Sequence, residues 1–321
     1  MTETIHDPLS TVNLLRPDIL ADPYPFYHRL QAADPVHWDE EMGYWVLTRY
    51  ADVVAVLRNP RFSSARAGQS EADWLPPELR ATLGPVARAI MRQMLFLDPP
   101  DHTRLRGLVN RAFTPRVVEA MRGRIQDIID ELLDGILASG QGQLELIEDF
   151  AYPLPAIVIA EVLGVPPEDR DRFLIWSADF GLLIDDIKSE DAAMRAMHGV
   201  AEFIAYFHRV IEERRSRPRD DVLGALIDAE ERGDRLSDDE LMGNCILLLA
   251  AGHGTTTHLL GNGLLALLRH PEQLALLRDK PEIAPSAVAE LLRYDGPCKP
   301  RDAWRRPMSK SAGSRSRRGR P

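Results

Sequence analysis

The chain has 321 residues, is 45% hydrophobic and carries a formal net charge of −10, so it can bury a large core in one or two domains. Residues 301–321 hold seven arginines, one lysine and one aspartate, leaving 31 basic and 48 acidic side chains in the first 300; such an acidic body does not suggest a nucleic-acid binder, the basic tail being a separate question. The apolar run Ile246–Ala251 is too short to span a bilayer, the start Met1–Asp7 lacks a secretory pattern, and two cysteines, Cys245 and Cys298, fit a reducing cytoplasm without a disulfide framework or zinc-ligand spacing.

In chain order, Pro23 to Ala33 reads as a short helix. Val36-His37-Trp38 and Tyr44 to Thr48 follow as two strands around an acidic turn with Gly43. Tyr50 to Arg58 is again helical, and a loose Gly-, Ser- and Pro-rich segment runs from Phe62 to Pro85. From Asp98 onward the pattern predicts helices at roughly 99–112, 115–138, 149–163, 167–183, 189–215, 220–230, 237–269, 271–279 and 285–294, punctuated by prolines. The expected fold is mainly α with a small β-sheet part. Residues 1–300 are expected as one domain. Residues 301–321, with few apolar positions, are expected as a basic disordered tail.

The stretch Ser237–Arg269 carries the most information. Ser237-Asp-Asp-Glu240 is a capping box and His270-Pro271 closes the far end, giving a rod of about 50 Å. Its middle, Asn244–Ala251, is apolar on most sides and should be buried. Ala251-Gly-His-Gly-Thr-Thr-Thr257 then places two poor helix formers and three stiff residues at the centre. Two outcomes fit: a widened turn with a free carbonyl and a hydroxyl facing a cavity, or a close crossing with a neighbouring helix.

Asp98-Pro-Pro-Asp-His-Thr-Arg-Leu-Arg106 opens another helix, with Asp98 able to cap and Pro99 suited to the first helical position. Leu105, Leu108, Val109 and Ala112 form its apolar stripe, and His102 and Arg106 stand together at the border. Two cations four apart repel unless an anion lies between them; the pair reads either as an anion site or as a solvated basic edge. Glu290-Leu-Leu-Arg293 puts a carboxylate and a guanidinium on one face, where they can pair.

Together Leu247–Thr257, the His102-x-x-x-Arg106 helix and Glu290-x-x-Arg293, with Phe96-Leu-Asp-Pro-Pro and Leu268-Arg-His-Pro-Glu, resemble the bacterial cytochrome P-450 family over about residues 15–300. The resemblance implies a mostly helical haem fold with a small sheet. It also implies insertion of one oxygen atom from O2 into a small hydrophobic organic substrate, with electrons passed from NAD(P)H through a ferredoxin- or flavin-type partner. By the same resemblance Thr255 hydrogen-bonds dioxygen above the haem, Ala251 and Gly252 line the groove there, and His102 and Arg106 hold the propionates. Glu290 and Arg293 form a buried structural lock. The sequence departs from the pattern at Gly254, where the family usually places the Asp or Glu implicated in proton delivery; His253 beside it is expected to point elsewhere.

The family's loop Phe-x-x-Gly-x-His-x-Cys-x-Gly, whose cysteine ligates the iron, is not found in the chain. Cys245 lies inside the long helix, Cys298 lies too early, and so no metal ligand is assigned. The change of composition near Pro300 suggests a truncation or frameshift before the ligand loop. Since thiolate donation favours O–O cleavage, this chain is expected to be inactive as an oxygenase. The alternative is a non-catalytic helical fragment that binds haem or a hydrophobic small molecule.

Overall fold

The computed structural model describes residues 16, 19, 22–39, 44–64, 84, 88–140, 142–184, 190–219, 221–228, 236–297 and 309–310. Most of the loose segment 62–85 lies outside these residues, as do Cys298 and all of the tail except Ser309–Lys310. The chain forms two compact units, residues 1–67 with 298–321 and residues 68–297.

In the first unit α1 (Tyr24–Ala33) buries Phe26 and Leu30, one turn apart, with Ile19 and Val46. Strands β1 (Val36–Asp39) and β2 (Tyr44–Leu47) pair antiparallel, with Trp38 opposite Trp45 and their rings 5.2 Å apart. A cross-strand aromatic pair of this kind fixes register as well as contributing stability. Helix α2 spans Tyr50–Arg58, and β3 (Phe62–Ser63) pairs with β4 (Ser309–Lys310). The tail was expected to lack regular structure, yet it supplies β4.

The second unit is helical. Helix α3 (Asp101–Ala112) begins two residues later than expected, with Pro100 at the N-cap and no side-chain cap; the backbone carbonyl of Asp98 accepts from His102 N at 3.0 Å. Thr114 caps α4 (Pro115–Ala138) through Val117 N. The single helix expected at 149–163 divides in two. Pro153 and Pro155 have no N–H to offer the ladder, and the turn before them widens into a π-turn, Ile147–Ala151, closed by Tyr152 N to Ile147 O at 2.8 Å. Helix α5 (Pro153–Val162) follows and ends in a Schellman motif, Val165 N to Ala160 O and Gly164 N to Glu161 O, both 2.9 Å. Gly164 has a φ of 70°, and a Cβ there would collide with the Arg214 guanidinium, so only glycine serves that corner.

Helices α6 (Arg170–Ile184) and α7 (Glu190–Ser216) lie side by side, and Phe173, Trp176, Phe203, Tyr206 and Phe207 interleave between them, with Phe203 and Phe207 centroids 4.5 Å apart. Buried rings of this size supply much of the apolar driving force. Short α8 (Val222–Ile227), capped by Asp221, closes the cluster, and Asp221 also holds the buried Arg214 at 2.7 Å. Through this body runs α9 (Asp238–Arg269), packed against α5, α6, α7 and the π-turn, and followed by α10 (Pro271–Asp279) and α11 (Ala284–Tyr294). Among the described residues no helix is long and apolar enough to cross a membrane.

Candidate functional site

The capping box at the start of α9 is formed: Ser237 Oγ accepts from Glu240 N at 3.2 Å, and Glu240 Oε2 accepts from Ser237 N at 2.9 Å. Glu240 does more than cap. Its carboxylate also takes the Arg104 guanidinium of α3, in an ion pair with little solvent exposure on either partner. Burial works to raise the Glu240 carboxyl, but the bonds from Arg104 and from the Ser237 backbone outweigh it and hold the group below the usual range. Asn244, fully buried one turn on, donates to Glu240 O at 2.7 Å and accepts from Met94 N at 3.4 Å. Gly243 sits so close to the Ala89 carbonyl that a Cβ would collide with it. The first half of α9 is therefore clamped, and every residue from Glu240 to Leu247 is buried.

Beyond that point the helix has two unlike faces. Successive residues are about 100° apart around an α-helix, so Leu249, His253 and Thr257, all buried, share one side. Ala251, Thr255, His258 and Asn262 share the opposite side, where Ala251 and His258 are exposed and the other two half-buried. The helix is unbroken, so the widened turn is not formed. Each threonine hydroxyl instead satisfies the carbonyl four residues back: Thr255 to Ala251 O at 2.9 Å, Thr256 to Gly252 O at 3.1 Å, Thr257 to His253 O at 3.2 Å. The two glycines separate the two expected outcomes. A Cβ at Gly252 would stand 3.3 Å from Ile159 Cδ1, which makes that side a close crossing with α5; a Cβ at Gly254 would meet nothing within 4 Å, which makes that side open.

His253 points into the protein, as the sequence leads one to expect. Its Nε2 faces Tyr152 O at 3.1 Å and its Nδ1 faces the Ser177 hydroxyl. A carbonyl only accepts, so Nε2 carries the hydrogen and Nδ1 accepts from Ser177. Burial pushes the imidazole down to about 4, against the opposing pull of the Tyr152 carbonyl. It is a neutral structural residue.

The remaining expected positions fall as follows. His102 is half-buried and Arg106 exposed on α3, and neither side chain has a hydrogen-bond or ion-pair partner among the described residues. Arg104, two residues from each, points the other way to Glu240. No hydrogen bond or ion pair joins His102 or Arg106 to Thr255. Glu290 and Arg293 do pair, with Arg293 Nε to Glu290 Oε2 at 2.7 Å, and that bond holds the carboxyl below its usual range. Their side chains are 58% and 69% exposed, so the pair is a surface fork here and not the buried lock that the resemblance implies. Cys245 is completely buried in α9, and burial pushes its thiol up to about 12. It cannot reach an iron on the open face. Among the described residues no group of three or more His, Cys, Asp or Glu could hold a bare metal ion.

Several of these features escape sequence reading. The sequence motifs do not mark Arg104, Ser177 or His258, and they mark Glu240 only as a cap. A signal for His258 did exist: it lies four residues after Gly254 and three after Thr255, hence on their side of the helix.

The second unit is a helical body crossed by one long, unbroken helix that presents the sequence Ala251-Gly-His-Gly-Thr255 beside open space. The sequence matches the Cytochrome P450 family over residues 85–280. The chain belongs to the cytochrome P450 family, whose cofactor is haem. It is similar to cytochrome P450 CYP107DY1 of Priestia megaterium, 43% identical over 88% of this chain and 70% of the relative. It is also similar to the cytochrome P450 monooxygenase PikC of Streptomyces venezuelae, 42% identical over 92% of this chain and 68% of the relative. Among solved structures the fold is similar to that of CalO2, with a TM-score of 0.78 and 35% identity over 89% of this chain and 70% of that one.

Proposed function

We propose that the open face of α9 is the distal wall of a haem site, and that the chain supplies the oxygen- and substrate-facing part of a cytochrome P450 monooxygenase. One observation carries this reading: midway along the helix, just past its buried stretch Glu240–Leu247, Ala251 is exposed and the space beside Gly254 is empty. The residues fit a haem. Ala251, Gly252 and Thr255 would lie along its face, and the side chains of His102 and Arg106, which have no hydrogen-bond or ion-pair partner among the described residues, would take the propionates through hydrogen bonds. Haem, when bound with a thiolate ligand, supplies O–O cleavage.

The chain's own residues set the proton chemistry. The Thr255 hydroxyl proton is committed to the Ala251 carbonyl, and must rotate away from it to be given to a ligand on the open side. Gly254 has no acid to resupply that proton, so the donor is water admitted through the open space or another side chain. The substrate is a small hydrophobic organic molecule, and a ferredoxin- or flavin-type protein delivers electrons.

Titrating the purified chain with hemin tests the assignment. Saturable one-to-one binding is expected, weakened about tenfold to a hundredfold in the His102→Ala/Arg106→Ala double variant, the loss of two charge-assisted bonds. Equal affinity of the variant and the parent chain would exclude the propionate role, and absence of saturable binding would exclude the site.

A further inference from the structure

The seam between α6 and α7 has two unlike ends. At one end the rings of Phe173, Trp176, Phe203 and Phe207 interleave. One turn further along α6 and one turn back along α7, Asp179 meets Gly199. Gly199 is buried, and a Cβ there would collide with the Asp179 carboxylate. The carboxylate therefore lies directly on the α7 backbone, and only glycine leaves room for it.

A carboxylate half-buried in such a contact gives up water and ordinarily takes a hydrogen bond or an ion pair in exchange. Asp179 forms neither among the described residues. The charged groups that face it from α7 are Arg195, His198 and Glu202, at distances longer than an ion pair. Glu202 is fixed near the seam, since it accepts from Trp176 Nε1 at 3.2 Å and lies 3.7 Å from His198 Nδ1. Tyr152, ahead of α5, also faces Asp179; burial and then the Asp179 charge push its phenol up, so it stays neutral. His253 of α9 lies behind Ser177 with both ring nitrogens engaged. Burial pushes the Asp179 carboxyl above its ordinary value; Arg195 pulls it down, Glu202 pushes it up and His198 pulls it down, with the upward influences prevailing.

We propose that Asp179 is a charge-loaded joint in the α6–α7 pair. Ionised, its carboxylate draws in water and parts this end of the seam while the aromatic end stays closed; protonated, it lets the seam shut on Gly199. The closed joint holds the Asp179 proton to higher pH than an open, hydrated one. Closure is therefore favoured at low pH and is progressively lost as the pH rises above the ordinary carboxyl value of 3.8 and through the raised one. The effect reaches the long helix, because Ser177, two residues before Asp179, is bonded to His253.

Hydrogen exchange of the full 321-residue chain, read by mass spectrometry on peptides from α6 and the first half of α7, tests the joint. At pH 7 Asp179→Asn, which keeps the shape and removes the charge, is expected to exchange several-fold more slowly there than the parent. Peptides covering Glu240–Leu247 should exchange alike in both. Compared at equal pH, the gap between parent and variant should narrow from pH 7 to pH 4.5. Arg195→Ala, which removes the attracting charge, should quicken exchange in the parent background and change nothing in the Asp179→Asn background. Equal or faster exchange in Asp179→Asn at pH 7 overturns the proposal. So does a gap that fails to narrow, or an Arg195→Ala effect of the same size in both backgrounds, which would make these contacts structural and independent of the Asp179 charge.

Discussion

Replacing Glu240 by alanine is expected to cost the chain about 3 kcal/mol in urea unfolding, the sum of a broken, mostly buried ion pair and a lost cap. The carboxylate has two duties at one point: it accepts from the Ser237 backbone, and it neutralises Arg104 across the gap between α3 and α9. Removing it takes the carboxylate away from a guanidinium in a place with little water, which is where most of the penalty arises. Ser237→Ala removes only the capping hydroxyl and should cost about 1 kcal/mol. Arg104→Met with Glu240→Leu removes both charges and should recover much of the ion-pair share. If Glu240→Ala loses no more than Ser237→Ala, the ion pair contributes nothing and α3 is held in some other way.

Lowering the pH is expected to weaken the fold through His253. Its imidazole titrates at about 4 in the folded chain, well below the ordinary value of 6.5. In the unfolded chain it takes up a proton as the pH falls through 6.5, whereas the folded chain stays neutral until about 4. The unfolded state thus binds more protons in that window, and stability falls as the pH falls. The contribution is complete above pH 6.5 and lost progressively down to pH 4, a change of about 3 kcal/mol from this one group. Urea unfolding of the parent and of His253→Gln, measured at pH 7 and pH 5, isolates it. The glutamine variant, whose amide can still serve Tyr152 and Ser177, should show a clearly smaller drop between the two pH values. Equal drops would mean that His253 is protonated in the folded chain, contrary to its enclosure by Tyr152 and Ser177.

Much of the helical framework is legible in the sequence because its punctuation is local. Thr114-Pro115, the Ser237–Glu240 box and Pro271 mark ends that the structure reproduces within a residue or two. The β1–β2 hairpin follows from alternation around a turn. The π-turn at Ile147–Ala151 was less visible: two prolines warn of a missing donor, but where the slack goes depends on neighbours. Pairings across long stretches of chain leave no trace in spacing. Glu240 is 136 residues from Arg104, and His253 is 76 from Ser177. The same limit applies at the waist of α9. Composition shows that Gly252 and Gly254 lower the helix propensity there. Only coordinates show that Ile159 fills the space beside the first and that nothing fills the space beside the second.

The contrast between the two halves of α9 makes the helix a cantilever. It is built in at the Arg104–Glu240 and Asn244 end and open beside Ala251 and Gly254, and beyond them it is touched on that side by the segment after α11 through Pro297 and Asp295. Amide hydrogens near Ile246 should exchange only when the whole body opens, while those past His258 escape through small local excursions. Anything pressed against the open stretch therefore meets a surface that yields more than the clamped root.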